Sequence, residues 1–277
     1  MSPGESKPTF LVIGAGKAGT TTLHAMLGTL SSVFTSVPKE IQYFSHPENP
    51  DFPLEWYFDH FRGGQESRHR GESSPTYSMF PTIRSVPDRI HAMNPDVRLL
   101  YMVREPVSRM VSAYAHNRRS GYETRPIESA ITTDVAYQAP SMYALQLSEY
   151  LRRFSIDQIH VEDLRDLSEN PRGVLDRVCD FLEVDPDGHP VDAQNPTPRL
   201  AVRPSYRPLL RGFRARGLAN RRWQRALQRS PIGSRPLSRA ETSIDDDLRE
   251  DLRRVFAHDI AALEELLGRS FAHWRAD

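Results

Sequence analysis

The chain has 277 residues, 26% of them charged and 38% hydrophobic, with 36 Lys and Arg balanced by 36 Asp and Glu. That length suits one domain with appendages, and the charge balance removes any global argument for nucleic acid or an acidic membrane as partner. A single cysteine, Cys179, excludes an internal disulfide framework and fits a reducing, cytoplasmic compartment, and neither a secretory leader nor an apolar run of membrane-spanning length is read.

In chain order, Thr9–Ile13 reads as a buried strand, Gly14–Gly19 as a turn and Thr20–Leu30 as a helix. An irregular stretch rich in aromatics and prolines follows from Val37 to about Tyr77, holding EIQYF at 40–44, EWYFDHF at 55–61 and GESSPTY at 71–77. Its aromatics between Tyr43 and Phe61 read mainly as core, with stacking on a sugar or aromatic ring as the other use. Arg84–Met93 reads as a helix and Val97–Val103 as a second apolar strand. The amphipathic helix Ser141–Phe154 places Tyr143, Leu147, Tyr150, Leu151 and Phe154 on one face, and a third strand follows at Gln158–Val161. Asn170-Pro171 opens a helix that runs to Leu182. This alternation predicts an α/β fold of three layers, a central parallel sheet flanked by helices, with ligands beyond the carboxyl ends of the strands.

Residues 193–240 hold twelve Arg and no Asp or Glu, which reads as a surface excursion or as a basic lid over an anionic ligand. Ile244–Leu267 is expected to pack Leu248, Leu252, Val255, Phe256, Ile260, Leu263 and Leu267 back on the domain.

The stretch FLVIGAGKAGTTTL at 10–23 joins a strand to a helix through a glycine-rich loop. Gly14, Gly16 and Gly19 permit a tight turn with inward amides, the helix offers its N-terminal N–H groups to an anion, and Thr20, Thr21 and Thr22 add hydroxyls. Lysine occurs only as Lys7, Lys17 and Lys39, so the two that fall near this loop stand out in an arginine-rich chain. In a nucleoside triphosphatase or kinase loop, GxxxxGK[ST], the lysine follows the last glycine. Here Lys17 precedes Gly19 by two residues, and the second strand ends in Arg104 rather than a magnesium-binding Asp. Arg104 offers a planar fork to a phosphate, and Ser112, eight residues on, offers a hydroxyl from the next helix. Arg109 reads as a surface residue, with a second phosphate contact as the alternative.

GAGKAGTTTL resembles the phosphosulfate loop of sulfotransferases that use 3′-phosphoadenosine 5′-phosphosulfate (PAPS), and LLYMVREPVSRMVSAY resembles their strand-Arg-x7-Ser unit. SMYALQLSEYLRRFSIDQIHVEDLRDLSENPRGVLDRVCDFLEV and LGRSFAHW are similar to later segments of the heparan sulfate type and its bacterial relatives. The resemblance implies a P-loop-like fold and a single domain over 1–277: a cofactor-binding core at 9–192, the Arg- and Pro-rich excursion at 193–240, and a packed C-terminal helix at 241–277. It implies that Gly16, Lys17, Ala18, Gly19, Thr20, Thr21 and Thr22 hold the phosphosulfate, that Arg104 and Ser112 hold the 3′-phosphate, and that PAP is the product, with no metal required.

Lys17 would stabilise the leaving phosphate, and Glu40 in PKEIQYF takes the place of the family's general base. Lys39, His46, Glu72 and Ser73 are further candidates on the acceptor side, His46 and Glu72 as competing bases. Ser73 stands where several glycan enzymes have a lysine, so Lys39 supplies that charge from the other side or Lys17 acts alone. The acceptor is expected to be a hydroxyl or amine of a carbohydrate, glycolipid or small molecule. A noncatalytic module that binds PAP, or a P-loop kinase, is the competing expectation.

Overall fold

The computed structural model describes residues 7–46, 52–191, 200–202, 234–236, 238 and 240–275. Five parallel strands form the central sheet: β1 (Phe10–Gly14), β2 (Val33–Thr35), β3 (His69–Ser73), β4 (Arg98–Val103) and β5 (Ile159–Asp163), in the order β2-β3-β1-β4-β5. Phe10, Leu11, Val12 and Ile13 of β1 are all 0% exposed, as a strand covered on both faces requires. Each such side chain contributes about 1.5–3 kcal/mol relative to exposure.

The connecting helices are α1 (Thr20–Leu27), α2 (Leu54–Asp59), α3 (Val86–Met93), α4 (Pro106–Arg119), α5 (Ile127–Thr133), α6 (Val135–Gln138), α7 (Tyr143–Leu151), α8 (Leu164–Glu169), α9 (Pro171–Leu182) and α10 (Asp246–Leu267). Helix α1 packs against α9, while α10 packs against α4 and α7. From β1 the chain crosses towards β2 at one edge, and from β4 it crosses towards β5 at the other. The carboxyl ends of β1 and β4 therefore flank the switch point of the sheet, where the two following loops diverge and leave a crevice.

The three-layer α/β expectation holds, and the sheet is larger than expected. β2 and β3 lie in stretches without a strand signal. β3 reads His-Arg-Gly-Glu-Ser, and it is admitted because a Cβ on Gly71 would lie 2.3 Å from the Phe10 carbonyl oxygen. Only glycine allows β3 to lie this close to β1. Helix α1 stops at Leu27 rather than Leu30, with Gly28 as its C-cap.

In α10, Leu252, Phe256, Ile260 and Leu263 are buried, and Leu248 and Leu267 are partly so. Val255, expected inside, is 51% exposed. The C-terminal turn docks on the sheet through Asp163, which accepts hydrogen bonds from Trp274 Nε1 at 2.9 Å and pairs with His273 Nε2 at 2.8 Å. Most of the Arg- and Pro-rich segment lies outside the described residues; within it, Leu200–Val202 (β6) pairs antiparallel with Ser234–Pro236 (β7). Among the described residues no helix is long and apolar enough to cross a membrane.

Candidate active site

The glycine-rich loop leaves β1 and enters α1 at the switch point. Gly19, the N-cap of α1, has φ 91°, and a Cβ there would lie 2.8 Å from Leu164 Cδ1. A side chain is excluded twice, by the left-handed backbone and by α8 beneath it. Lys17 also takes a left-handed conformation, with φ 73°, although it carries a side chain. Strain of this kind is held in place by its surroundings and clusters at functional positions. The N–H groups of Gly16, Lys17, Gly19, Thr20 and Thr21 donate to no acceptor among the described residues. They form a concave set of donors with a helix dipole behind them. Ala18 is fully buried and closes the tip through its N–H, which donates to the Ala15 carbonyl at 3.2 Å.

Two arginines support this loop from the β4 side. Arg104 follows β4 and donates from Nη1 to the Lys17 carbonyl oxygen at 3.3 Å, while its own backbone is gripped by the Tyr143 hydroxyl. Arg109, expected at the surface, is 3% exposed and holds neutral oxygens: Gly16 O at 3.4 Å, Tyr137 O and Ser141 Oγ. The correction follows from the direction of α4, which runs under the loop and points Arg109 inward. Its charge, set among neutral acceptors, adds to the positive potential beneath the loop. Ser112 lies two turns into α4 and is half-buried.

Lys17 feels these charges. Burial lowers its pKa, Arg119 and Arg104 lower it further, and Glu40 opposes them, with a smaller lowering from Lys39. An anion delivered here meets an ammonium short of negative charge. Arg119, at the end of α4 and 7% exposed, had no signal in the sequence because only the packing of α4 brings it towards Lys17.

The opposite wall is the segment after β2. Lys39 Nζ donates to Thr20 Oγ1 at 3.2 Å and pairs with Glu40 Oε1 at 3.5 Å. The other carboxylate oxygen of Glu40 accepts from Gln42 Nε2 at 3.1 Å. Gln42 is itself placed by a buried acid. Glu72 is 0% exposed, and its oxygens accept from Ile41 N at 3.1 Å, Tyr57 Oη at 3.2 Å, Ser74 Oγ and Tyr77 Oη. Ser74 Oγ in turn accepts from Gln42 N at 2.9 Å. Burial raises the Glu72 pKa, and donors from Ser74, Tyr77, Ile41 and Tyr57 pull it back.

Glu72 was expected among the groups that face an acceptor. It lies behind the wall, with four donors around it, and reaches Glu40 through the Ile41 amide that follows it and through Ser74 and Gln42. Ser73 is likewise 0% exposed, and its hydroxyl bonds His24 Nδ1 at 2.9 Å. His24 has a pKa lowered to about 4 by burial and by Lys39, against a hydrogen bond with the Ser36 backbone. His46 is exposed and lines a separate cleft of about 290 Å³ with Tyr43, Phe44, Phe52, Leu54 and Arg89. The aromatics behind it are core, as expected: Tyr57 and Phe61 are 0% exposed.

A cavity of about 480 Å³ opens beside Arg104, between Ser108 on α4, Leu164 and Ser168 on α8, and Arg249 and Arg253 on α10. Its rim carries more cationic than anionic side chains. Among the described residues, no group of three or more His, Cys, Asp or Glu is arranged to hold a metal ion.

Comparison with known proteins agrees with this geometry. The family model for the sulfotransferase domain matches residues 7–195. Human heparan sulfate glucosamine 3-O-sulfotransferase 5 is 30% identical over 191 residues, 65% of this chain and 54% of its own length. Human heparan sulfate glucosamine 3-O-sulfotransferase 3B1 is 32% identical over 184 residues, 63% of this chain and 46% of its own length. The chain thus spans about half the length of these curated relatives. The crystal structure of a sulfotransferase from Alicyclobacillus acidocaldarius superimposes with a TM-score of 0.73 at 25% identity, covering 97% of this chain and 99% of that one. With its loop, its Arg104 unit and its sheet order accounted for together, the chain belongs to the sulfotransferase family.

Proposed function

We propose that this protein transfers the sulfuryl group of PAPS to a hydroxyl or amine of a carbohydrate, glycolipid or small-molecule acceptor, releasing PAP. The observation that carries the reading is the meeting of two unlike walls at the switch point: unsatisfied backbone donors with Lys17 on one side, and a Lys39–Glu40 pair on the other. A shared fold alone would not support it, since one fold hosts many chemistries.

The donor site is built for an anion of this length. Loop N–H groups and Lys17 would hold the phosphosulfate, while Arg104 and Ser112 would hold the 3′-phosphate. The cavity beside Arg104 supports this by leaving room for the nucleoside end. The acceptor oxygen or nitrogen attacks sulfur opposite the bridging oxygen. The new bond to sulfur forms as the bond from sulfur to the bridging oxygen breaks, and that electron pair leaves on the 5′-phosphate of PAP. Glu40 takes the acceptor's proton, a contribution of typically ~10²- to 10⁴-fold. Lys17 and the loop amides face the negative charge that develops on the leaving phosphate.

An acceptor with an amino sugar is the first class to test, because the relatives named above act on heparan sulfate glucosamine. The experiment is transfer of radioactive sulfate from PAPS to a panel of amino sugar oligosaccharides, glycolipids and small alcohols and amines, with PAP release measured in parallel. Labelled product from any of them supports the reading. Tight PAP binding with no transfer to any acceptor and no slow hydrolysis of PAPS would replace it with a nucleotide-binding module.

A further inference from the structure

We propose that Lys39 is shared between Glu40 and the transferred sulfonate, so that the arriving donor draws its ammonium away from the carboxylate and makes Glu40 the stronger base for the acceptor's proton. The inference rests on the PAPS reading above and assigns a further catalytic residue to that site.

Three observations carry it. First, the Lys39 backbone is pinned at the end of the sheet: its carbonyl oxygen accepts from the N–H of Ser73, the last residue of β3, at 3.0 Å, and β3 neighbours β1. The side chain is thereby aimed across β3 at the first turn of α1. Second, its ammonium already spans the two halves of the site, touching Thr20 Oγ1 at 3.2 Å and Glu40 Oε1 at 3.5 Å. Thr20 is the first residue of α1, whose unsatisfied N–H groups face the same anion position. Third, the residue that holds the Lys39 carbonyl brings no charge: Ser73 is bonded to His24, whose pKa is lowered to about 4, so that histidine stays neutral across the ordinary pH range.

An ammonium between a carboxylate and an anion site partitions by charge. With no anion on the loop, Glu40 is its ionised partner. A sulfonate seated on the loop competes from the other side, beside Thr20. The Lys39–Glu40 contact at 3.5 Å is long for a charge-assisted hydrogen bond, and both side chains are partly exposed, at 16% and 26%. Such a pair is weakly held and readily exchanged. During transfer the same ammonium faces the sulfonate oxygens, while the proton passes from the acceptor to Glu40. Chemistry at Glu40 is thus tied to donor occupancy, which favours donor binding before productive acceptor binding.

The chain's lysine usage makes this directly observable. Lys7, Lys17 and Lys39 are its only lysines, so protein made with isotope-labelled lysine gives three side-chain signals, assignable by Lys7→Arg and Lys39→Arg. With PAPS and no acceptor, the Lys39 signal should shift; with PAP, which lacks the sulfonate, it should stay near its starting position. The Lys17 signal should shift with both. An unmoved Lys39 signal in the presence of bound PAPS, or equal shifts with PAP and PAPS, overturns the proposal and leaves the sulfotransferase reading standing. Absence of PAPS binding overturns both.

Kinetics give a second measurement. Lys39→Ala should keep PAP affinity within about twofold while turnover falls at least about tenfold, with partial recovery in Lys39→Arg. Turnover equal to wild type, or a loss of PAP affinity as large as the loss of turnover, overturns the proposal.

Discussion

The two walls of the site are built by different means. The wall facing the donor is made of backbone: amides of a loop whose shape is set by Gly19 and the left-handed Lys17, braced by Arg104 and Arg109 through carbonyl oxygens. The other wall is placed mainly by side chains: Glu72 accepts from Ser74 Oγ, Ser74 Oγ accepts from the Gln42 backbone N–H, and Gln42 Nε2 donates to Glu40. A backbone cradle recognises a phosphate whatever is attached to it. A side-chain relay adjusts the position of one carboxylate and is open to change by substitution at any link. On the proposed reading, the donor side is therefore fixed more firmly than the acceptor side.

Three experiments break or sharpen that contrast. The largest effect is expected from Lys17→Ala, which removes the one charged side chain of the loop at 14–22. Turnover with PAPS should fall at least about 100-fold, with an unchanged melting temperature, because the Lys17 ammonium makes no hydrogen bond or salt bridge among the described residues. Near-normal turnover in this variant would end the assignment of the loop.

A smaller and different effect is expected from Glu72→Gln. The amide replaces one acceptor oxygen by a donor that faces either the Ser74 hydroxyl and Ile41 N–H or the two tyrosine hydroxyls. Stability should fall by about 1–3 kcal/mol. Turnover should fall with it, while PAP affinity, measured calorimetrically, should match wild type. Weaker PAP binding would show that the two walls are not independent.

The smallest effect concerns pH. The folded-state pKa of His24, about 4, lies below its ordinary value of 6.5, so on acidification the unfolded chain binds this proton first. The stability linked to His24 is present above pH 6.5 and is lost progressively towards pH 4, at a cost of about 1.4 kcal/mol by pH 5.5. Denaturant unfolding of wild type and His24→Asn at pH 7.5 and 5.5 isolates it: the variant should lose less stability between the two. An equal loss would show that His24 takes up its proton as readily in the folded protein as in the unfolded chain.

The same contrast explains how much was legible before the fold was known. β1 and β4 were readable as apolar runs, β5 as a short strand after an amphipathic helix, and the loop and Arg104 were readable because backbone cradles need glycines at fixed spacing. β2 and β3 were not, since a three-residue strand and His-Arg-Gly-Glu-Ser carry no periodicity; their place is dictated by Gly71 lying against Phe10. Glu40 was found by resemblance and Lys39 by the rarity of lysine, and the geometry adds the contact of Lys39 with Thr20. Glu72 and Ser73 were placed on the wrong side of the wall because a polar residue at a strand end gives no sign of which way it faces. Arg109 was misplaced for the same reason on a helix. His24 and Arg119 are joined to the site only by packing between segments far apart in sequence.

The left-handed backbone at Lys17 has a consequence for how the protein would evolve or be engineered. Glycine is the residue that this conformation favours, and Lys17→Gly would relieve strain of about 1 kcal/mol. A screen that rewards only thermal resistance would drift towards that change and return a sturdier, inert protein. Position 17 is therefore one where selection for durability and selection for activity pull in opposite directions.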